Sequence, residues 1–309
     1  SHFRYPTVIF DFNNYFIIIG NKNNHTGVTK VFKIPSIGIN SAIKLKDLPA
    51  NQIINYKKNF THHNFTAFKN KENNKYYAIG GMFRNQRPFN DKKREDGLIL
   101  YESQNLINWK FVSPVLTKKN FPAKFTKSIE KTVPEFDSNL CVFYSKILNK
   151  YILIGRANIA KGCRSMQYTS TLDFKKWDNF KLFKIDTFTK SHNYYMFHCL
   201  ELQEHGLFFG LGVYTNKPKK PTRVQIKKLV SYDLENWIDC GKLCDCSLPL
   251  FKGIKSNVHI GGILAKDNTI EVFLQLKCFY LESSIKKYSF NYNSKKAIIP
   301  QIKRFKCVL

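Results

Sequence analysis

Three copies of one short pattern constrain the fold of this chain more than any other feature. The stretches SQNLINW (103–109), TLDFKKW (171–177) and SYDLENW (231–237) share the pattern Ser/Thr-x-Asp/Asn-Leu/Phe-x-x-Trp and contain the only 3 tryptophans. Ser, Thr, Asp and Asn side chains bond to nearby backbone N–H groups in turns. Each copy therefore predicts a tight turn between two strands, with Leu or Phe and Trp packed against the sheet as scaffold.

A second recurrence, of aromatic and β-branched strands, extends the repeat along the chain. Each copy enters from a polar turn and follows a shorter apolar strand: NYFIIIG (14–20), KYYAIGG (75–81), KYILIG (150–155), GLFFGLG (206–212) and TIEVFLQ (269–275). Such segments are typical of β-strands, and repeats at a fixed period indicate a modular architecture. Helical periodicity is nearly absent, apart from one short helix predicted near KLKDLPANQIINY (44–56).

The predicted fold is an all-β, five-bladed β-propeller with about four antiparallel strands per blade. We expect a single domain over residues 1–309, with blades at about 7–35, 60–118, 134–186, 193–243 and 256–292. The first strand of each blade lines the central channel, so the residues at its start surround one mouth.

Candidate mouth residues come from four of the predicted blades. They are His62, His63 and Asn64, then Glu135 and Asp137, then His198 and Glu201, and finally His259. Glu135 and Asp137 stand two residues apart, so on a strand they would share a face. Two like charges side by side favour a functional role over packing. The histidine spacing defines no metal site, and we predict neither a metal nor a cofactor.

The charge balance is strongly basic, with 50 Lys or Arg against 22 Asp or Glu and a net charge of +28. This charge is compatible with attraction to nucleic acid, phosphate or acidic glycans. The lysines, however, are spread along the whole chain beside abundant Asn, Ile, Phe and Tyr, which favours codon bias as the main cause. Because no nucleic-acid-binding motif is present, nucleic acid is not the predicted partner.

Compartment signals are sparse. The sequence contains neither an apolar run of about 18 residues nor a secretory pattern at its start, so we expect no membrane-spanning helix and favour the cytoplasm. The 8 cysteines are expected to be reduced, since most lie in apolar strand-like runs. The one cluster, CGKLCDC (240–246), has no matching second pair for zinc.

The second and third predicted blades resemble a known group of propellers. The stretches HNFTAF…KYYAIGG…GLILYESQNLINW and FDSNLCVFYSKILNKYILIGR…RSMQYTSTLDFKKW are similar to glycosyl-hydrolase-like propellers of the arabinanase, invertase and levansucrase superfamily. That superfamily includes glycoside hydrolase families 43 and 32, and the similarity covers about residues 60–240. The resemblance implies glycosidic chemistry by three funnel acids from the first three blades, one as base or nucleophile, one as orienter or transition-state stabiliser, and one as general acid.

The resemblance also implies roles for individual residues. Asp137 matches an inner-strand acid, Glu201 is the candidate general acid, and Glu135 is its partner or a rim charge. Arg156 would hold a sugar group or orient Asp137. The residues His63, Asn64, His198 and His259 would bind substrate. His63 and Asn64 stand where the family has an early acid, which leaves Asp11 as its alternative source.

Three functions remain open at this point. The first is a glycoside hydrolase-like enzyme, the second a glycosyltransferase or phosphorylase that uses a phosphate or nucleotide sugar, and the third a non-catalytic glycan-binding propeller. All three predict a carbohydrate partner, and an anionic or nucleotide-linked form of it is the alternative to a neutral one.

Overall fold

A computed structural model describes most of the chain. The described residues are 2–23, 26–36, 43–44, 64–70, 73–82, 97–117, 136–160, 163–189, 193–215, 224–245, 258–276 and 284–307. Within these ranges the backbone forms five small antiparallel sheets. The predicted all-β fold, with five antiparallel blades, is confirmed.

The blades follow one another along the chain, and the consecutive strands of each blade are ordered from the channel outward. Blade one contains β1 (His2–Asp11), β2 (Asn14–Asn23) and β3 (Thr26–Pro35). Blade two contains β5 (Thr66–Lys69), β6 (Tyr76–Met82), β7 (Gly97–Ser103) and β8 (Lys110–Thr117). Blade three contains β9 (Cys141–Ser145), β10 (Lys150–Ala160), β11 (Cys163–Thr171) and β12 (Lys181–Leu182).

The last two blades each gain a strand from elsewhere in the chain. Blade four contains β14 (Asn193–Leu202), β15 (Leu207–Thr215), β16 (Val224–Ser231) and β17 (Asn236–Asp245), plus β13 (Lys184–Ile185), which pairs in parallel with β17. Blade five contains β18 (Val258–Lys266), β19 (Thr269–Leu276) and β20 (Ser284–Asn291). Its outer strand is β4 (Ile43–Lys44), which pairs with β20 and so ties the chain's early part to its last blade.

The five inner strands form a closed ring around the channel. Strand β1 contacts β5, β5 contacts β9, β9 contacts β14, β14 contacts β18, and β18 contacts β1 again. Each inner strand begins at the same end of the channel, which we call the mouth. Blade one begins at residue 2 rather than at the predicted residue 7. Residues 45–56 of the predicted helix lie outside the described residues, and Lys44 belongs to β4.

Five hydrophobic clusters fill the spaces between neighbouring blades, one cluster for each interface. A sheet that packs on both faces must be apolar on both faces, which explains why so many strands read as continuous apolar runs. Strand β15, for example, is buried along its whole length. The blades are therefore held by face-to-face packing rather than by a common core.

The three tryptophan motifs form the same turn in three blades. The backbone adopts positive φ at Leu106, Phe174 and Leu234, with values of 63°, 60° and 64°. The tryptophan Nε1 then donates to the carbonyl of that residue, at 2.9, 3.2 and 2.8 Å respectively. The Asn or Asp of each motif accepts two backbone N–H groups through Oδ1. The predicted scaffold role of these residues is confirmed.

One asparagine side chain links four blades beneath the mouth. Asn139, which lies two residues before β9 in blade three, donates from Nδ2 to the Pro6 carbonyl at 2.8 Å and to His198 Nε2 at 2.9 Å. Its Oδ1 lies 3.1 Å from the Thr66 hydroxyl. These partners belong to blades one, four and two. Because His198 Nε2 accepts this bond, the neutral ring carries its proton on Nδ1.

The chain ends in a short helix that the sequence did not predict, α1 (Ile298–Arg304), which packs on blade four. Lys228 of β16 is fully buried and donates to the carbonyls of Ile302, Lys303 and Phe305 at 2.9, 2.7 and 2.6 Å. The last carbonyls of a helix have no partner within it and attract a cation. Lys228 therefore caps α1 from the neighbouring sheet.

The six cysteines whose side chains are described form no disulfide, and all six are buried. None of the helices in the described ranges has the length and apolar character that a membrane-spanning helix needs.

We predict that Lys228→Met lowers the free energy of unfolding by about 3 kcal/mol, because three buried carbonyls lose a charged donor. Urea unfolding measures this change, and hydrogen exchange should show that the α1 segment opens first. The control Lys295→Met, an exposed lysine just before α1, should leave stability within about 0.5 kcal/mol of the parent. Equal effects of the two substitutions would contradict the capping role.

We also predict that acid destabilises the ring through His198. Burial lowers the pKa of His198 to about 4, against 6.5 for the ordinary side chain. Between these values the unfolded chain binds a proton that the folded chain does not, so the free energy of unfolding falls as pH drops from about 6.5 to about 4. The loss amounts to about 3 kcal/mol.

The measurement is a series of urea titrations from pH 4 to pH 8 on the parent and on His198→Gln, which cannot titrate at this position. Other titrating groups contribute equally to both proteins, so the difference in pH dependence isolates His198. An unchanged slope in the variant would show that His198 is not the acid-sensitive group.

Candidate functional site

The channel encloses a cavity of 380 Å³ that is lined by all five inner strands. Toward the mouth it is bounded by His198, and toward the opposite end by Lys146, Glu201 and Gln203. The two ends of the channel are therefore chemically different surfaces, and each predicted site residue that the structure describes lies toward one of them.

Phe136 fixes the backbone next to Asp137 at the mouth. Its ring is fully buried against Gly155 of β10, where an added Cβ would lie 2.6 Å from the Phe136 ring. Only glycine leaves room for this packing. The backbone at Phe136 has φ of 56°, and Asp137 follows in irregular structure before β9 begins at Cys141. Asp137 therefore does not lie on a strand, contrary to the prediction, and Glu135 lies outside the described residues.

Arg156 of β10 holds Asp137 through both its backbone and its side chain. Arg156 Nη1 donates to the Asp137 carbonyl at 2.6 Å, and Nη2 lies 3.7 Å from Asp137 Oδ2. The Arg156 side chain is 1% exposed, whereas that of Asp137 is 33% exposed. The arginine is thus a buried support, and the carboxylate is the part of the pair that a ligand can reach.

Aromatic side chains from three blades surround this pair. The guanidinium carbons of Arg156 and Arg164 each lie 5.6 Å from the ring centre of Tyr195, which is partly exposed at the start of β14. The hydroxyls of Tyr195 and Tyr5 lie 2.9 Å apart. Tyr5 in turn stacks on His259 of β18, with ring centres 5.5 Å apart and planes inclined by 2°.

We call Tyr5, Asp137, Arg156, Arg164 and Tyr195 the mouth cluster. Charged members of this cluster act on the pKa of Tyr5. Burial is the main reason that the pKa of Tyr5 is raised well above its ordinary value, and the charge of Asp137 adds to this effect while Arg156 opposes it. A tyrosine hydroxyl in this state is a neutral hydrogen-bonding group rather than a nucleophile.

Five of the predicted site residues lie at this end of the channel, namely Asn64, Asp137, Arg156, His198 and His259, and the side chains of all but Asp137 are buried. Asn64 is buried, with φ of 55°, and its Nδ2 donates to the Phe136 carbonyl. His198 is buried in the Asn139 network, and His259 is buried behind Tyr5. Their predicted contact with substrate stays a prediction. In the structure their side chains are buried where the inner strands begin and contact neighbouring blades. His62, His63 and Glu135 lie outside the described residues.

Glu201 does not meet Asp137, contrary to the predicted acid pair. Its carboxylate accepts hydrogen bonds from the Ser145 hydroxyl at 2.5 Å and from the backbone N–H groups of Lys146 and Ile147 at 3.2 and 3.1 Å. These donors lie where β9 ends, whereas Asp137 lies before β9 begins. The five-residue strand between them spans about 13 Å. Glu201 joins blade four to a blade-three turn at the far end of the channel.

Asp11 also lies at the far end, as the last residue of β1, where it pairs with Lys69 at 2.8 Å. It therefore does not supply an acid at the mouth. Every other Asp or Glu whose side chain is described lies in a far-end turn, or on or beside a strand outside the inner ring, as Glu271 of β19 does. Within the described ranges, Asp137 is the one carboxylate of the mouth, and no three His, Cys, Asp or Glu side chains gather as metal ligands.

The sequence analysis missed Tyr5, Asn139, Arg164 and Tyr195. Tyr5 and Tyr195 stand at the starts of inner strands β1 and β14, the same positional criterion that selected Asp137. Applying that criterion to every blade, and to aromatic as well as charged residues, would have found them. Arg164 carried no such signal, because only the pairing of β10 with β11 brings it beside Arg156.

The mouth cluster presents a partly exposed carboxylate, two guanidinium groups and a partly exposed tyrosine ring. This arrangement suits a polar, hydroxyl-rich ligand. The carboxylate accepts hydrogen bonds from hydroxyl groups, and a ring face packs on apolar C–H surface. General acid–base cleavage would need a second carboxylate, which the described mouth does not contain.

No protein-family model and no curated protein sequence matches the chain, whereas many solved structures do. An α-L-arabinanase from Penicillium chrysogenum complexed with arabinobiose is 11% identical, with a TM-score of 0.57 over 94% of this chain and 93% of that one. A thermostable family-43 glycoside hydrolase is 11% identical, with a TM-score of 0.57 over 94% and 90%. An N-acetylgalactosamine deacetylase from F. plautii in complex with blood group B trisaccharide is 9% identical, with a TM-score of 0.59 over 99% and 92%. The chain therefore has the five-bladed propeller fold of family-43 glycoside hydrolases.

Proposed function

We propose that this propeller is a carbohydrate-active protein that binds a glycan at the mouth cluster. The observation that carries the proposal is the Asp137–Arg156 pair, in which a buried arginine supports a partly exposed carboxylate. A fixed carboxylate can accept two hydrogen bonds from neighbouring sugar hydroxyls without reorganising. Solved structures of similar fold include glycoside hydrolases and complexes with bound carbohydrates, which supports the same ligand class.

The partly exposed ring of Tyr195 supports this proposal from a second direction. Its hydroxyl is bonded to Tyr5, and its face lies near two guanidinium groups, so its orientation is fixed before a ligand arrives. Preorganised aromatic rings bind with little loss of conformational entropy. A sugar that donates hydroxyl groups to Asp137 would lie within reach of this ring.

We predict that Asp137→Asn weakens glycan binding by about tenfold or more, because charge-assisted hydrogen bonds contribute about 1.5–3 kcal/mol each. A glycan array identifies the ligand, and calorimetry measures the affinity of both proteins. The matched control Asp267→Asn makes the same chemical change in an exposed far-end turn and should bind as the parent does. Unchanged binding by Asp137→Asn would place the ligand elsewhere.

Hydrolysis of a glycosidic bond is the second candidate function, favoured by the sequence position of Glu135 two residues before Asp137. A hydrolase needs one carboxyl group as acid and another as base or nucleophile. If these two residues serve, Glu135→Gln and Asp137→Asn should each reduce sugar release by about 10²-fold or more. If the Glu135→Gln variant still releases sugar, another residue must be the acid. If the parent protein binds a glycan but releases no sugar, it is a glycan-binding propeller.

A further inference from the structure

We propose that the central channel holds a second ligand site, separate from the mouth cluster, for a small uncharged molecule with an apolar body and a hydrogen-bond acceptor oxygen. The site is the cavity of 380 Å³ that the five inner strands line. Cavities that bind small molecules measure about 300–1,000 Å³, so this volume suits a ligand of one or two rings. The glycan proposed at the mouth does not use this cavity, and the two proposals are independent.

The cavity exists because the inner strands carry small side chains, or none, in their middle. The residues of this kind that line it include Thr66, Ala67, Cys141, Cys199, Gly261 and Gly262. Side chains that point to the axis of a closed ring of strands fill it when they are large and leave a cavity when they are small. The space at the axis is therefore set by the sequences of the inner strands.

Two hydrogen-bond donors at the inner end of the cavity, as we call the end that His198 bounds, have no acceptor among the described residues. Thr7 is 6% exposed, and its buried hydroxyl has no partner in the described chain. His198 accepts from Asn139 through Nε2, which leaves its Nδ1 proton without a partner in the same ranges. A buried donor without an acceptor is costly. Both groups therefore favour a ligand oxygen.

The wall between the inner end and the far end of the cavity is largely apolar. Phe10, Phe143 and Leu264 line it from three blades and remain partly exposed. Two buried thiols also line it. Burial raises the pKa of Cys141 to about 12 and that of Cys199 well above its ordinary value, so both thiols stay neutral and act as small apolar groups. Apolar surface that is exposed inside a cavity favours an apolar ligand that covers it.

The described lining offers no counter-ion for a charged group at the inner end. Lys69 pairs with Asp11 at 2.8 Å, and Lys146 is exposed at the far end. The ring of His198 is neutral, because its Nε2 accepts a hydrogen bond. A charge that leaves water without a counter-ion pays a large desolvation cost, so the ligand is uncharged. It enters where residues of the lining are exposed, at Lys146, Gln203 and Ala265.

The test uses the fluorescent ketone prodan, an uncharged naphthalene derivative whose emission shifts to the blue in apolar surroundings. We expect saturable binding to the whole chain, with a dissociation constant of about 0.2 mM or tighter for a ligand of this size. Competitors of similar size then test the ligand class: acetophenone has a carbonyl oxygen, ethylbenzene lacks it, and benzoate is charged. Acetophenone should displace the dye at least about threefold better than ethylbenzene and about tenfold better than benzoate.

Two variants locate the site. Thr7→Val replaces one donor by a methyl group of similar size. It should weaken acetophenone binding by about threefold and leave ethylbenzene binding unchanged, which a general loss of structure would not do. Ala265→Trp places a large side chain at the exposed far end of the cavity and should abolish dye binding. The matched control Ala297→Trp makes the same change at an exposed position just before α1, outside the cavity lining, and should bind the dye as the parent does.

The outcomes that overturn this inference are separate from those that overturn the proposed function. Both cavity variants should bind a glycan at the mouth as the parent does. If the parent shows no saturable dye binding, or if Ala265→Trp binds the dye as the parent does, the channel is not a ligand site, whatever the glycan result. Equal displacement by the three competitors, or an equal effect of Thr7→Val on acetophenone and ethylbenzene, would refute the ligand class.

Discussion

The Asn139 amide is the interaction on which the mouth of this propeller depends. One buried side chain in blade three bonds to the backbone of blade one and to His198 of blade four, and lies in hydrogen-bond distance of Thr66 in blade two. A propeller has no single core, so the relative positions of its blades at the axis must be fixed by contacts of this kind. The network also requires a neutral imidazole, which ties the closure of the ring to pH.

This closure explains why most of the polar residues at the axis are structural. Asn64, His198 and His259 are used in holding blades together, and Glu201 does the same at the far end of the channel. Side chains one step outward, those of Asp137, Arg164 and Tyr195, retain some exposure, and the proposed ligand site lies there. A buried polar side chain close to the axis is thus weaker evidence for ligand contact than a partly exposed one at the rim.

The fold could be predicted because its signals are local. The tryptophan turn is made within seven residues, and the same bonds recur in all three copies, so sequence similarity reports the geometry directly. The separation of Glu201 from Asp137 could not be predicted. Glu201 is the ninth residue of β14, and the end of the channel at which it lies depends on where that strand begins. Arg164 was missed for a related reason, since cross-strand register brings it to the Arg156 face.

The sequence by itself determined the five repeated blades, the turns that join their strands, and the position of Asp137 near the start of an inner strand. Only the tertiary structure decided which charges act together. Arg156 and Arg164 stand eight residues apart in the sequence, yet the pairing of β10 with β11 brings both guanidinium groups to the Tyr195 ring of another blade. The physical reason is that electrostatic interaction depends on distance in space, which the register of the paired strands sets and the spacing of residues along the chain does not.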